Sequence, residues 1–231
     1  LAAFAAETPL RKIGTPQDVA DAVFYLAVIN YNRNELQAAY DDFKSLEFND
    51  KYHLEVPYYL AGIYLKNEEI IRAKRVAEHF IQDHATSPQG IRMHQIYGAA
   101  EFIQGNYDKA AEALGVYVGN TQSPQRIALY QLGASLYATG RQEEAMEKLM
   151  LCTREDDAIA QSALLYIGLM HLENGNSSSA RLALEQAATM THDDKIREEA
   201  LYNYALCIHQ TRCSPFAESV KTFELFLNDY P

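Results

Sequence analysis

A small residue inside an apolar helical pattern recurs along this chain at nearly constant spacing. The six positions are Ala27, Gly62, Gly98, Gly133, Gly168 and Ala205. They are 35, 36, 35, 35 and 37 residues apart. The apolar residues around them recur every three or four positions, which indicates α-helices, and a fixed period of this length indicates stacked repeats. The sequence therefore predicts an all-α solenoid.

Three further features repeat in step with the small residues. Seven residues later come Gly105, Gly140 and Gly175, where a glycine can take the left-handed conformation that ends a helix. A second small residue follows about twelve positions after the first: Ala39, Ala73, Ala110, Ala145, Ala180 and Ser219. Four positions further lies Phe43, Ala77, Leu114, Leu149, Leu184 or Phe223. We expect the small residues to let two antiparallel helices approach closely, and the last set to fill the seam with the next pair.

This spacing resembles the tetratricopeptide repeat (TPR), a helix–turn–helix unit of about thirty-four residues. The segments LYQLGASLYATGRQEEAMEKLM (129–150) and IYGAAEFIQGNYDKAAEALGVYV (96–118) fit the family pattern, although its tryptophan is absent throughout. The resemblance implies a right-handed α-α superhelix of about six repeats. The predicted array covers 16–231, with repeats at about 16–51, 52–87, 88–122, 123–157, 158–193 and 194–231. Residues 1–15 are expected to be the end of a preceding helix that caps the array, in a segment of a longer protein.

The stretch TPLRKIGTPQDVADAVFYLA (8–27) offers a remote alternative, because it also resembles the closing segment of short-chain dehydrogenases. Such an enzyme needs a glycine-rich phosphate loop, and no G-x-G-x-x-G is present. Its Tyr-x-x-x-Lys occurs once, at Tyr40 and Lys44, after this segment instead of before it. We therefore interpret the stretch as the start of the first repeat helix, with Thr15 as the N-cap and Pro16 at the first helical position.

Charge and motif content point away from several functions. The net charge of −11 opposes nucleic-acid binding, and no apolar run is long enough to cross a membrane. The seven histidines are scattered, and no H-E-x-x-H, G-x-S-x-G or C-x-x-C occurs. We therefore expect no enzyme activity, no cofactor and no metal site. For the cysteines, a Cys207–Cys213 pair is one alternative, and buried free thiols at Cys152 and Cys207, which the sequence favours, are the other.

In a repeat superhelix the first helices line the concave face. Positions three before, one after and four after each small residue should face this groove, and they are mostly apolar or tyrosine. The predicted protein-binding residues are Tyr59, Ile63, Lys66, Arg92, Phe102, Tyr130, Tyr137, Leu169 and Tyr202. We expect a peptide or protein segment to lie across repeats two to four, with Lys66 and Arg92 favouring an acidic partner. The alternative is a purely structural spacer whose rings are packing residues.

The ending ESVKTFELFLNDYP (218–231) is similar to that of periplasmic repeat proteins in bacterial envelope assembly. Several longer segments resemble long TPR proteins of Bacteroides-type bacteria. This resemblance implies a periplasmic scaffold in cell-envelope assembly or outer-membrane transport, with the cytoplasm as the alternative location. The oligomeric state is left open.

Overall fold

The computed structural model describes residues 15–211 and 216–230, which form twelve α-helices and no β-strand. The helices are α1 (Pro16–Asn32), α2 (Leu36–Ser45), α3 (Val56–Lys66), α4 (Ile70–His84), α5 (Pro88–Ile103), α6 (Tyr107–Gly119), α7 (Arg126–Ala138), α8 (Gln142–Met150), α9 (Ala158–Glu173), α10 (Ser177–Thr189), α11 (Asp194–Thr211) and α12 (Phe216–Asp229). The all-α prediction is confirmed. The cap predicted for residues 1–15 lies, apart from Thr15, outside the described residues.

The chain divides into two units, of which unit 1 extends to Ala100 and unit 2 begins at Glu101, inside α5. In unit 1, α1 packs against α2, α3 against α4, and α2 against α3. In unit 2, α7 pairs with α8, α9 with α10, and α11 with α12. Helix α9 also contacts α7, α8 and α11. Each unit is therefore built from consecutive helical hairpins.

The first described helix begins as the sequence predicts. The Asp18 backbone N–H donates to Thr15 Oγ1 at 3.1 Å, and the Thr15 N–H donates to the Asp18 carboxylate at 2.6 Å. Pro16 lies at the start of the helix, where its missing N–H costs nothing. This capping box explains why the stretch around residue 15 starts a helix.

The turns inside the hairpins use a left-handed residue. Gly105, Gly140 and Gly175 have φ of 76°, 77° and 70°, which confirms the predicted helix ends. In unit 1 the equivalent turns place two residues other than glycine in this region: Asn34 (63°) and Glu68 (61°). In each case the next residue donates its N–H back to a carbonyl five positions earlier, as from Arg141 to Leu136 at 2.8 Å. The backbone of the turn is therefore the same with or without glycine.

The repeated small and apolar residues form the core. All six second small residues are buried, as are Phe43, Ala77, Leu114, Leu149 and Leu184. Phe43 stacks on Tyr59 of the next hairpin at 4.5 Å, as predicted. Leu184 instead packs on Gly168 of its own hairpin. The packing is so close that a Cβ added at Gly168 would lie 2.6 Å from the Leu184 Cγ. The apolar residues four positions after the second small residue therefore also fill the space between the two helices of one hairpin.

Among the described residues, no helix has the length and apolar character needed to cross a membrane.

Candidate functional site

Four aromatic rings in unit 2 form a surface that we call the aromatic row: Phe102, Tyr130, Tyr137 and Tyr166. The centroid of the Phe102 ring on α5 lies 6.2 Å from that of Tyr130 on α7. The Tyr166 ring on α9 lies 6.3 Å from Tyr130 and 5.5 Å from Tyr137. All four side chains are partly exposed. Rings from three helices are thus brought into one half-open surface.

The repeat pattern places the row. Tyr130 and Tyr137 are seven residues apart on α7, so two helical turns put them on the same face. Tyr166 lies 36 residues after Tyr130, about one repeat further along the chain. Burial raises the pKa of Tyr130, and burial together with the neighbouring Tyr130 raises the pKa of Tyr166 to about 12. The hydroxyls of the row are therefore protonated at neutral pH.

The row ends at the Glu173 carboxylate. The Tyr137 hydroxyl donates to Glu173 Oε1 at 2.6 Å, and Gln142 Nε2 donates to Glu173 Oε2 at 2.5 Å. Burial, the bond to Glu173 and the nearby Glu199 charge raise the pKa of Tyr137 well above its usual range. Glu173 and Glu199 are both exposed. In the described part of the chain, neither forms an ion pair with Lys, Arg or His.

The predicted residues of unit 1 lie in a different environment. Tyr59 stacks on the buried Phe43, and its ring meets that of Phe24 edge-on at 5.8 Å. The Arg92 guanidinium lies 4.1 Å from the centroid of the Tyr58 ring and 5.6 Å from that of Tyr59. These rings are therefore packed by the unit's own side chains.

Both cations predicted to attract an acidic partner bind their own unit. Arg92 Nη1 donates to Glu55 Oε2 at 2.8 Å. Lys66 Nζ lies 4.2 Å from the centroid of the Tyr31 ring and donates to the Tyr31 carbonyl at 3.2 Å. Because internal acceptors and rings already engage these charges, they give little reason to expect an acidic partner.

The remaining predicted site residues are separate from the aromatic row. Ile63 is 1% exposed in the core of unit 1, so its side chain cannot contact a partner in this conformation. Leu169 is partly buried against the apolar core of α9–α12. Tyr202 is 45% exposed on α11, with its ring 5.5 Å from that of Phe226 on α12.

Sequence reasoning missed Tyr166 and gave Glu173 and Glu199 no role in binding. Tyr166 lies two positions before Gly168, one residue away from the positions counted as groove-facing. Its spacing of about one repeat from Tyr130 could have identified it. The carboxylates carried no comparable signal, because acidic residues are common on exposed helix surfaces.

The described residues contain no group of three or more His, Cys, Asp or Glu placed to hold a metal ion. The burial predicted for Cys152 and Cys207 is confirmed. Burial raises the pKa of the Cys152 thiol to about 11, so it is neither a ready nucleophile nor a metal ligand. The Cys207 thiol donates to the Ser177 carbonyl at 3.6 Å, and Cys213 lies outside the described residues.

Comparison with known proteins supports the repeat architecture. Residues 127–155 match the family model described as Tetratricopeptide repeat. The fold is similar to YrrB, described as a TPR protein with an unusual peptide-binding site, with a TM-score of 0.66 and 14% identity over 82% of this chain and 92% of that one. It is also similar to a mutant of MamA, with a TM-score of 0.59 and 16% identity over 77% of this chain and 100% of that one.

A search of curated proteins finds no match. The structural likeness at this level of identity defines the fold. The matched segment covers α7 from its second residue and all of α8, the hairpin that carries Tyr130 and Tyr137. The chain thus has the solenoid fold of TPR proteins, as predicted, and its 127–155 segment matches the tetratricopeptide repeat model.

Proposed function

We propose that this chain is a non-enzymatic scaffold that binds a peptide or a segment of another protein, with the aromatic row of unit 2 as the contact surface. The single observation that carries the proposal is the row itself. Four large rings from three helices lie half-exposed in one surface, and no Lys or Arg of the described residues lies over any of them. Large aromatic side chains at a half-buried surface supply contact area at low entropic cost and are enriched among residues that dominate binding energy.

Charge and chemistry fit this role. The net charge of −11 disfavours nucleic acid as the partner. The Tyr137 hydroxyl donates to Glu173, but burial and this carboxylate raise its pKa, so the hydroxyl is not a ready nucleophile. A protein segment is therefore the partner that the surface suits best.

A structural spacer is the second candidate, and unit 1 provides the observation that favours it. There the rings at corresponding repeat positions pack against one another and against Arg92 and Lys66. A spacer needs only this kind of internal packing. In our proposal unit 1 serves as the rigid part of the scaffold and unit 2 carries the contact surface.

Photo-crosslinking tests the contact surface. Benzoylphenylalanine is introduced in place of Tyr166, a partly exposed ring of the aromatic row, or, as a control, in place of Leu182 on α10, which is 63% exposed. We expect adducts in an envelope extract from position 166 and not from position 182. The crosslinked segment is then synthesised and titrated against wild-type, Tyr130→Ala and Tyr137→Ala proteins.

Removing either ring should weaken binding of that segment by about 2 kcal/mol or more, while Leu182→Ala should leave affinity unchanged. Circular dichroism shows whether each variant is folded. Unchanged affinity in both folded tyrosine variants would refute the proposed surface.

The location that we propose is the periplasm, in cell-envelope assembly or outer-membrane transport. This rests on the resemblance of the 218–231 segment to periplasmic repeat proteins. Osmotic-shock fractionation of the source cells with an antibody against this chain tests it. Signal in the shock fluid supports the proposal, and signal confined to the cytoplasmic fraction contradicts it.

A further inference from the structure

The aromatic row and its carboxylates have a counterpart within the same molecule. In unit 1, Arg92 lies over the Tyr58 ring at 4.1 Å while its Nη1 donates to Glu55 at 2.8 Å. In unit 1 the Arg92 guanidinium thus contacts both the tyrosine rings and the Glu55 carboxylate. Such cation–π and ion-pair contacts are strongest when the guanidinium is partly removed from water.

The aromatic row of unit 2 has the corresponding rings and carboxylates, but no guanidinium of the described residues lies over its rings. Tyr137 donates to Glu173. Glu199 is an exposed carboxylate on α11, a helix that contacts α9, which carries Tyr166 and Glu173. Among the described residues, no Lys or Arg lies over a ring of the row; the cation–π contact in this unit is Arg197 over Tyr230.

One repeat position carries opposite charges in the third and the sixth repeat. Arg92 lies six residues before Gly98, and Glu199 lies six residues before Ala205. Among the described residues, neither Glu173 nor Glu199 forms an ion pair with a basic side chain. Their charges give this part of unit 2 a negative potential, which favours a cation from outside.

We propose that the aromatic row, Glu173 and Glu199 form a subsite for an arginine side chain of the bound segment. This inference rests on the proposed function and specifies the chemistry of its partner. The planar guanidinium stacks on the ring faces while its N–H groups reach the carboxylate oxygens. Arginine suits the subsite better than lysine, because its flat group can stack and bond at the same time. Gln142 and Tyr137 hold the Glu173 carboxylate while leaving lone pairs available for the ligand.

Three pools of synthetic dodecapeptides test the subsite. Their sixth residue is fixed as arginine, citrulline or glutamate, and the other positions are drawn only from alanine, leucine, serine and tyrosine. Citrulline keeps the shape of arginine and removes its charge. Each fluorescently labelled pool is titrated with the whole chain at low salt by anisotropy.

We expect the arginine pool to bind about tenfold more tightly than the citrulline pool, with the glutamate pool weakest. The Glu173→Gln/Glu199→Gln variant should reduce the ratio of arginine to citrulline affinity to about one. A matched control, Glu112→Gln/Glu198→Gln, makes the same charge change at two exposed glutamates on α6 and α11 and should keep the tenfold ratio.

Equal affinity of wild-type protein for the arginine and citrulline pools overturns the inference, as does a ratio that survives in Glu173→Gln/Glu199→Gln. If wild-type protein binds the arginine and citrulline pools equally, and both bind more weakly to Tyr130→Ala and Tyr137→Ala, the arginine subsite is wrong and the proposed function stands. If no pool binds at the highest soluble protein concentration, both fail.

Discussion

Tyr59 in unit 1 and Tyr130 in unit 2 both lie three residues before the small residue of their repeat. Tyr59 stacks on the buried Phe43 and lies beside Arg92, so the fold uses its ring. Tyr130 contacts other half-exposed rings, and the row that it belongs to ends at the Glu173 carboxylate, which has no basic partner in the described chain. The same repeat position can thus serve stability in one unit and remain available for binding in the other, depending on what neighbouring helices supply.

The largest expected effect tests whether the rings of unit 1 are structural. Phe43 is fully buried and contacts Phe24 and Tyr59. Phe43→Ala should lower the free energy of unfolding by about 3–5 kcal/mol, because it removes a stacked ring and leaves a cavity. Urea unfolding followed by circular dichroism measures the loss. Tyr202→Ala in unit 2 is the control and should change stability by less than about 1 kcal/mol. Similar losses in the two variants would remove the contrast between the units.

The second prediction compares the charged side chains beside the rings, Arg92 in unit 1 and Glu173 in unit 2. Arg92→Ala should lower stability by about 1–2 kcal/mol, because it removes the contact with Tyr58 and leaves Glu55 without its cation. The charge-neutralising Glu173→Gln in unit 2 should change stability by less than about 0.5 kcal/mol, since this carboxylate is exposed. Thermal unfolding compares the two variants. A larger loss for Glu173→Gln would mean that the acidic end of the row is structural.

The hairpin turns differ between the units in a way that mutation can exchange. Glu68 has φ of 61°, where a side chain is strained, so Glu68→Gly should stabilise the protein by about 0.5–1 kcal/mol despite the greater freedom of glycine in the unfolded chain. Gly140→Ala, at φ of 77° in unit 2, should destabilise it by about 1 kcal/mol. Urea midpoints measure both. If Glu68→Gly instead lowered the urea midpoint, the Glu68 side chain would stabilise the fold by more than its strained backbone conformation destabilises it.

The smallest effect at neutral pH concerns the tyrosine hydroxyls. Burial raises the pKa of Tyr31 in unit 1 and of Tyr166 in unit 2 to about 12, from a usual value of 10.0. A raised folded-state pKa contributes stability that is fully present below about pH 10 and is lost as the pH rises toward 12. Tyr31→Phe and Tyr166→Phe should each make stability decline less steeply over this range, with no change of slope below it.

Absorbance titration of the hydroxyls separates the two units. Arg92 lowers the pKa of Tyr31 and Glu199 raises that of Tyr166. Arg92→Ala should therefore raise the pKa of Tyr31, and Glu199→Gln should lower that of Tyr166. Identical alkaline titration curves for wild type and both charge variants would contradict the electrostatic difference between the units.

The sequence alone predicted the parts of this structure that depend on local pattern. The period of about 35 residues predicted helical hairpins, and Gly105, Gly140 and Gly175 predicted where three helices end. Thr15 and Pro16 predicted the start of α1. These features depend on spacing along one chain segment, where the hydrogen bonds and the buried face of a helix repeat with a fixed period.

The environment of each ring was decided only by tertiary structure. Counting from the small residues treated Tyr59 and Tyr130 as equivalent, placed the core residue Ile63 among the binding residues, and missed Tyr166. It also assigned Arg92 and Lys66 to a partner, although Glu55 and Tyr31 engage them. Whether a ring is packed, covered by a cation or left open depends on side chains that other helices supply from about 35 residues away. The helical period therefore fixes which face of its helix a side chain occupies, and the packed neighbours determine what that side chain is free to bind.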